Sequence, residues 1–376
     1  MTRVLLAPDK FKGTLTAAAV AGHLAAGIAA ARPDVEVVCV PVADGGDGTL
    51  AAALAAGFTH APVVAAGPTG DSVPTGFARR GDVAVVELAA VSGLSLLPGD
   101  VPAPLTASSA GTGEVIRAAL DAGCTEVILG IGGSACTDGG AGMATALGAR
   151  VVDAHGIAVA PGGAALLGAA TLDLSALHPA LTTAEIRVAS DVDNPLLGER
   201  GAAAVYGPQK GATREQVVQL DAALTHWADL VAAATGADHR DSPGAGAAGG
   251  VGFGAMALLG ARLEPGVDLI FGLTGFHDAL AGADLVVTGE GSVDGQTLNG
   301  KAPAGVAAAA RAAGVDAVVV AGRCELDEPA LRAAGICAAY TLSELTTDLD
   351  EQFHRPGPLL EQIGERIATE QLGGVS

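Results

Sequence analysis

Short β-branched runs separated by alanine-rich stretches of helical period set the strongest limit on how this chain folds. The runs 3–7, 35–42, 83–88, 126–131, 186–189, 285–288, 317–320 and 338–342 each read as a buried strand. Between many of them apolar side chains recur at helical spacing. Val20, Leu24 and Ile28 form one stripe, and Val115, Ile116, Ala119 and Leu120 form another. Strand, crossover helix and next strand in repetition make a parallel sheet, so the predicted class is α/β. The alternation is tightest over 285–342, where helices are expected at about 302–313 and 328–334, and the N-terminal strand is expected to join that sheet.

A chain of 376 residues exceeds what one hydrophobic core usually organises. Proline- and glycine-rich breaks at 67–74, 98–104, 161–163 and 242–252 make the middle less regular than the two ends. The expected organisation is therefore two α/β domains: a doubly wound, mainly parallel one from 1–65 plus 280–376, and a second, 66–279, inserted into it. No solenoid-length repeat and no low-complexity tail interrupts this pattern.

Charge narrows the function classes. A net charge of -21 works against a basic surface, so neither nucleic acid nor an anionic membrane is an expected partner. No run of about eighteen apolar residues is present, and the apolar start ends at once in Pro8 and Asp9, unlike a secretory signal. The five cysteines show no metal-ligand spacing and read as reduced thiols of a cytoplasmic protein. The histidines show no HExxH pattern, and no GxSxG elbow occurs, which leaves zinc and serine hydrolases without support.

Lysine is scarce, and this scarcity is informative. The chain has only Lys10, Lys12, Lys210 and Lys301 against sixteen arginines, and all four lie in or beside loop segments rich in Gly, Pro or Asp. The only asparagines, Asn194 and Asn299, fall in similar places. In APDKFKGT (7–14), after the first strand, Lys10 and Lys12 offer mobile ammonium donors to a phosphate or carboxylate, although an ordinary βα turn has the same composition. In PVADGGDGT (41–49), Gly45 and Gly46 let backbone amides approach a ligand and Asp44 or Asp47 can accept from a hydroxyl; a capped turn reads equally well.

Three further loops follow strands. GIGGSACTDGGAG (130–142) carries Ser134 and leads from a strand into a helix, an anion-binding arrangement without GxGxxG spacing; close packing of its glycines is the other reading. ASDVDNPLL (189–197) sets Asp191 and Asp193 in one short loop, suited to a hard cation or a general base, or to Asx-turn chemistry alone. TGEGSVDGQTLNGK (288–301) contains G-x-x-x-x-G-K from Gly295 to Lys301, yet Ala302 stands where a P-loop needs Ser or Thr. Lys301 is therefore expected to steady a phosphate in a loop that mimics a Walker A, with Glu290 or Asp294 near a metal. The glycine-rich 244–254 segment either covers a nucleotide or packs closely.

In order along residues 7–301, the blocks APDKFKGTLTA, PVADGGDGT, SSAGTGEVI, GIGGSACTDGGAGM, SDVDNPLLG, GPQKGA and VVTGEGSVDGQTLNGK resemble the motifs of the glycerate kinase type I family. The resemblance implies a two-domain α/β fold and phosphorylation of D-glycerate by ATP with Mg2+, usually to 2-phosphoglycerate. Carried onto this chain, it implies Asp191 as general base assisted by Lys12, and Asp191, Asp193, Glu290 and Asp294 as metal candidates. It further implies Lys10, Asp44, Gly45, Gly46, Ser134, Asn299 and Lys301 around phosphate or substrate. Lys10 and Ser292 depart from the family pattern, standing where a serine and an arginine are expected, and Lys10 is placed to compensate. A kinase for another small hydroxy acid and a non-catalytic nucleotide- or metabolite-binding regulator are the rival readings. Whether the chain is a monomer or a homodimer stays open.

Overall fold

A computed structural model describes residues 1–295, 297 and 301–373. Its strands run β1 (Arg3–Pro8), β2 (Glu36–Cys39), β3 (Thr59–Ala66), β4 (Ser72–Arg80), β5 (Val83–Glu87), β6 (Glu126–Gly130) and β7 (Arg150–Val152). They continue as β8 (Thr171–Asp173), β9 (Glu185–Ala189), β10 (Arg262–Glu264), β11 (Leu285–Val293), β12 (Asp316–Cys324) and β13 (Ile336–Thr341). The chain divides into two compact units, one of residues 1–44, 51–57 and 267–376, the other of 45–50 and 58–266.

The first unit holds a five-stranded sheet ordered β13-β12-β11-β1-β2, parallel throughout. β1 joins the strands of the last quarter, as the sequence predicts, and lies between β11 and β2. Both faces of this sheet are covered, and the two-residue period of a strand makes that visible. Val4 and Leu6 belong to an apolar cluster with Val20, Leu24 and Ile28 of the Ala17–Ala31 helix. Leu5 and Ala7 point the other way, into a cluster with Val306 and Ala310 of the Ala302–Ala313 helix. The residue types follow from this geometry, since a strand buried on both sides has no polar face to alternate with.

The second unit holds a six-stranded mixed sheet ordered β10-β9-β6-β5-β4-β3. β5, β6, β9 and β10 are parallel, while β4 is antiparallel to both β3 and β5. The β3–β4 hairpin occupies a stretch that the sequence marks in part as a break, because Pro62 and Pro74 argue against strands. β3 is an edge strand, and β4 pairs with β5 only over Ala78–Arg80, so both prolines fall where a missing N–H is tolerated. Buried Trp227, from the Arg214–Thr235 helix, anchors the core of this unit and donates from Nε1 to the Gly139 carbonyl at 3.1 Å. Among the described residues no helix is long and apolar enough to cross a membrane.

Candidate active site

Each unit carries a group of polar residues at the carboxyl ends of parallel strands, where open α/β sheets bind ligands. In the first unit the group starts where β1 ends. The Asp9 amide donates to the Gly289 carbonyl at 2.8 Å, extending the ladder to β11 by one rung, and the Lys10 amide donates to Asp9 Oδ1 at 2.6 Å. Beyond it the chain closes a tight turn: the amide and hydroxyl of Thr14 both donate to the Phe11 carbonyl, and Gly13 takes φ +81°. Thr16 then caps the Ala17–Ala31 helix by accepting from the Ala19 amide. Lys12 lies inside that turn, with its backbone against Gly291 of β11.

Asp9 is 8 % exposed. Burial pushes its carboxyl up to about 7; Lys10 pulls it back, and the negative charges of Asp44 and Glu290 push it further up. The pair Asp44 and Glu290 thus shares an electrostatic neighbourhood with Asp9, which the sequence reading did not single out. The signal was present: an aspartate directly after an apolar strand, in the first motif. Glu290 lies within β11 and accepts from the Thr297 hydroxyl at 2.5 Å and from Lys301 Nζ at 3.2 Å. Lys301 also precedes the Ala302–Ala313 helix, whose first turn contains proline. Asp294 exchanges hydrogen bonds with Thr297, taking the Thr297 amide at Oδ1 and donating its own amide to Oγ1. Asn299 lies outside the described residues. Ser292 accepts from Arg323 Nε at 3.1 Å, so a neighbouring strand brings a guanidinium to the position where the family resemblance leads one to expect an arginine.

In the second unit three segments meet with no room for side chains. A Cβ on Gly45, whose φ is +84°, would lie 2.6 Å from Ala189 Cβ at the end of β9. A Cβ on Gly130, at the end of β6, would lie 2.7 Å from the Gly45 carbonyl, and one on Gly132 2.6 Å from Gly46 Cα. Glycine at these positions is what lets the 45–48 loop lie on the ends of two strands. Glu87, the last residue of β5 and only 7 % exposed, fixes this loop by accepting from the Gly48 and Leu50 amides at 3.1 and 2.8 Å. A carboxylate closing an apolar strand run was the available sign of it.

Ser134 accepts from the Lys210 ammonium at 2.8 Å. Asp138, four residues on, is buried and accepts from the amide and hydroxyl of Ser109 and from the Gly140 and Gly142 amides. The 244–254 segment packs beneath this loop: a Cβ on Gly249 would lie 2.1 Å from the Cys136 carbonyl, and Ala248, Gly249 and Gly250 all have positive φ. Close packing, one of its two sequence readings, is what the geometry supports. Asp191 is exposed after β9, and its Oδ1 accepts from the Gly266 amide at 2.8 Å. Asp193 pairs at the surface with Arg200 at 2.9 Å. Asn194 is an architectural residue: its amide donates to the Arg200 carbonyl, its Oδ1 accepts from Tyr206, and its own carbonyl accepts from the Gly246 amide.

The structure therefore brings Asp44, Glu290 and Lys10 together around Asp9, with Lys301 on Glu290 and Lys12 in the adjoining turn. Gly45 and Gly46 meet the segment leading to Ser134, and Gly45 also meets the end of β9 before Asp191. Among the described residues no three His, Cys, Asp or Glu side chains converge as a complete metal cage. Mg2+ asks for less, since one or two carboxylates suffice when water and phosphate supply the other oxygens. Asp9 and Glu290 are oxygen donors of that kind; the Asp9 carboxyl is raised first by burial and only secondarily by the negative charges of Asp44 and Glu290, which a bound divalent cation would offset.

A family model described as the glycerate kinase family matches residues 4–371. The chain is 43 % identical over 371 residues to a glycerate kinase of Halalkalibacterium halodurans, covering 98 % of each chain. It is 42 % identical over 354 residues to the glycerate 2-kinase of Escherichia coli, covering 93 % of each. A crystal structure from Salmonella typhimurium, provisionally described as a glycerate kinase 2, matches with a TM-score of 0.86 at 40 % identity and covers 99 % of both chains.

Proposed function

The chain belongs to the glycerate kinase family, and from that premise we propose that it transfers the γ-phosphoryl group of ATP to the 2-hydroxyl of D-glycerate. The glycerate oxygen attacks the γ-phosphorus, the bond to the β–γ bridging oxygen breaks, and ADP leaves with that electron pair. The hydroxyl proton passes to the Asp191 carboxylate, and the product is 2-phosphoglycerate. The observation that carries this reading is the grouping of Asp9, Lys10, Asp44 and Glu290, with Lys301 on Glu290, at the carboxyl end of the parallel β1–β11 pair.

Phosphoryl transfer needs positioning and charge neutralisation more than covalent chemistry from the protein. Lys10, Lys12 and Lys301 supply ammonium donors for phosphate and carboxylate oxygens in a chain otherwise rich in negative charge. Glu290 and Asp9 would hold Mg2+, with Asp294 and the loop carboxylates Asp191 and Asp193 as the remaining candidates. When bound, Mg2+ offsets charge on the phosphate oxygens. Asp44 accepts from a substrate hydroxyl, the backbone at Gly45 and Gly46 gives close approach, and Ser134 and Asn299 donate to anionic oxygens. The reading includes a cytoplasmic location, in keeping with cysteines that are all free thiols.

The test is phosphorus NMR of the product formed from ATP and D-glycerate. A 2-phosphate resonance is expected; a 3-phosphate resonance overturns the choice of hydroxyl. An ADP-release screen across hydroxy acids should rank D-glycerate first, and absence of ADP release with bound ATP overturns the kinase reading in favour of a regulator.

A further inference from the structure

Lys210 stands apart from the groups already described because it is buried. It lies in the Pro208–Lys210 turn with 2 % exposure, and its ammonium donates to Ser134 Oγ at 2.8 Å and to the Cys136 carbonyl. Burial pulls its pKa down, against the opposing influence of Cys136 and Asp138. Taking an ammonium out of water is costly, and an apolar side chain of similar length fills such a space at less expense. Packing alone therefore does not account for a lysine here.

An ammonium does what an apolar side chain cannot: it fixes the direction of a hydroxyl group. Ser134 has one proton and two lone pairs on Oγ. Lys210 occupies one lone pair, so the Ser134 proton points elsewhere, and among the described residues no acceptor meets it. The surrounding backbone is held from the other side, since the Leu94 amide donates to the Gly133 carbonyl and the Ala135 amide to the Ser92 carbonyl. Ser134 is thus an oriented donor in the loop that follows β6, two residues after Gly132, which lies against the Gly46 backbone.

We propose that Lys210 is a positioning residue for anion binding: by donating to Ser134 Oγ it aims the Ser134 proton at an anionic oxygen of substrate. That oxygen belongs either to the glycerate carboxylate or to an ATP phosphate. The inference rests on the proposed kinase reading for the loop's role and is tested by a cycle of Ser134→Ala, Lys210→Met and the double variant. In full-length protein, Ser134→Ala should raise the Michaelis constant of one substrate by about 10- to 100-fold, the loss expected for a hydrogen bond to a charged group. The other substrate's constant should stay within about twofold. Whichever constant moves identifies the source of the oxygen.

Lys210→Met should raise the same constant. Because it acts through Ser134, the double variant should be no worse than Ser134→Ala alone. Effects that multiply in the double variant overturn the proposal, as does a Lys210→Met protein that melts earlier with unchanged constants. Should Lys210→Met fail to fold, Ser134→Ala decides alone, and unchanged Michaelis constants in that variant overturn the proposal. If the unmodified protein does not phosphorylate D-glycerate, the proposed function fails separately. Calorimetric titration of ATP and of D-glycerate onto wild type and Ser134→Ala then reads the same ratio without turnover, and equal dissociation constants for both overturn the role of Lys210.

Discussion

Asp191 receives an amide hydrogen bond from Gly266, which orients its carboxylate as the proposed base. Asp191→Asn keeps the accepting oxygen, so folding should survive while kcat falls by about 10²- to 10⁴-fold. Near-normal turnover in a folded Asn variant removes Asp191 from the role. Asp9 makes a prediction about pH. Its carboxyl moves from 3.8 to about 7 on folding, so between these values the folded protein holds a proton that the unfolded chain has lost. Stability from this residue is full below pH 3.8, declines as pH rises through about 7 and stays lost above it. In metal-free protein, Asp9→Asn should match the parent near pH 4 and exceed its stability near pH 8 by a few kcal/mol, about 4 at most. Denaturant melts at the two pH values check this, and equal gains at both refute it. Loop chemistry at this scale was legible where residue type is rare, as with the lysines. Asp9 and Glu87 were not selected and Lys210 was noted for its rarity without a role, because what sets all three apart is burial, and burial is decided by strands and loops distant in sequence.

Two glycines of one helix show how far periodicity reaches. Val20, Leu24 and Ile28 of the Ala17–Ala31 helix are all fully buried, as their spacing predicts. Gly27 is invisible to that pattern, yet a Cβ there would lie 1.9 Å from the Glu361 carbonyl of the Pro356–Gln371 helix. Gly364 of the same partner helix is equally constrained, with its Cβ position 2.5 Å from the Leu24 carbonyl. The helices approach backbone to backbone, and Gly27→Ala should destabilise by about 3 kcal/mol or more. That outweighs the roughly 1 kcal/mol of helix propensity gained from alanine. Gly22 meets nothing within 4 Å, so Gly22→Ala should instead stabilise by up to about 1 kcal/mol. Thermal melts of the two variants should move in opposite directions, and a stabilised Gly27→Ala refutes the close contact. The parallel strands were readable for the same reason as the helix stripe, because burial on both faces leaves an unbroken apolar run. The β3–β4 hairpin was not, since its prolines are acceptable only through their position in the sheet.

At the scale of the whole chain, a net charge of -21 on 376 residues means that folding concentrates like charges. Composition made the charge legible, and the strand–helix alternation made the α/β class legible. It did not reveal the antiparallel part of the second sheet, whose order depends on pairings between distant segments. Two effects of added salt should separate. Raising NaCl from about 10 to 150 mM shortens the screening length from roughly 30 to 8 Å, and the melting temperature should rise as repulsion weakens. MgCl2 at matched ionic strength should raise it further, because a cation bound only by the folded protein stabilises it by mass action. That excess should disappear in Glu290→Gln, which removes a carboxylate coupled to Asp9, while the response to NaCl remains. If Glu290→Gln keeps the full excess, Mg2+ acts on the acidic surface at large and Glu290 is not among its ligands.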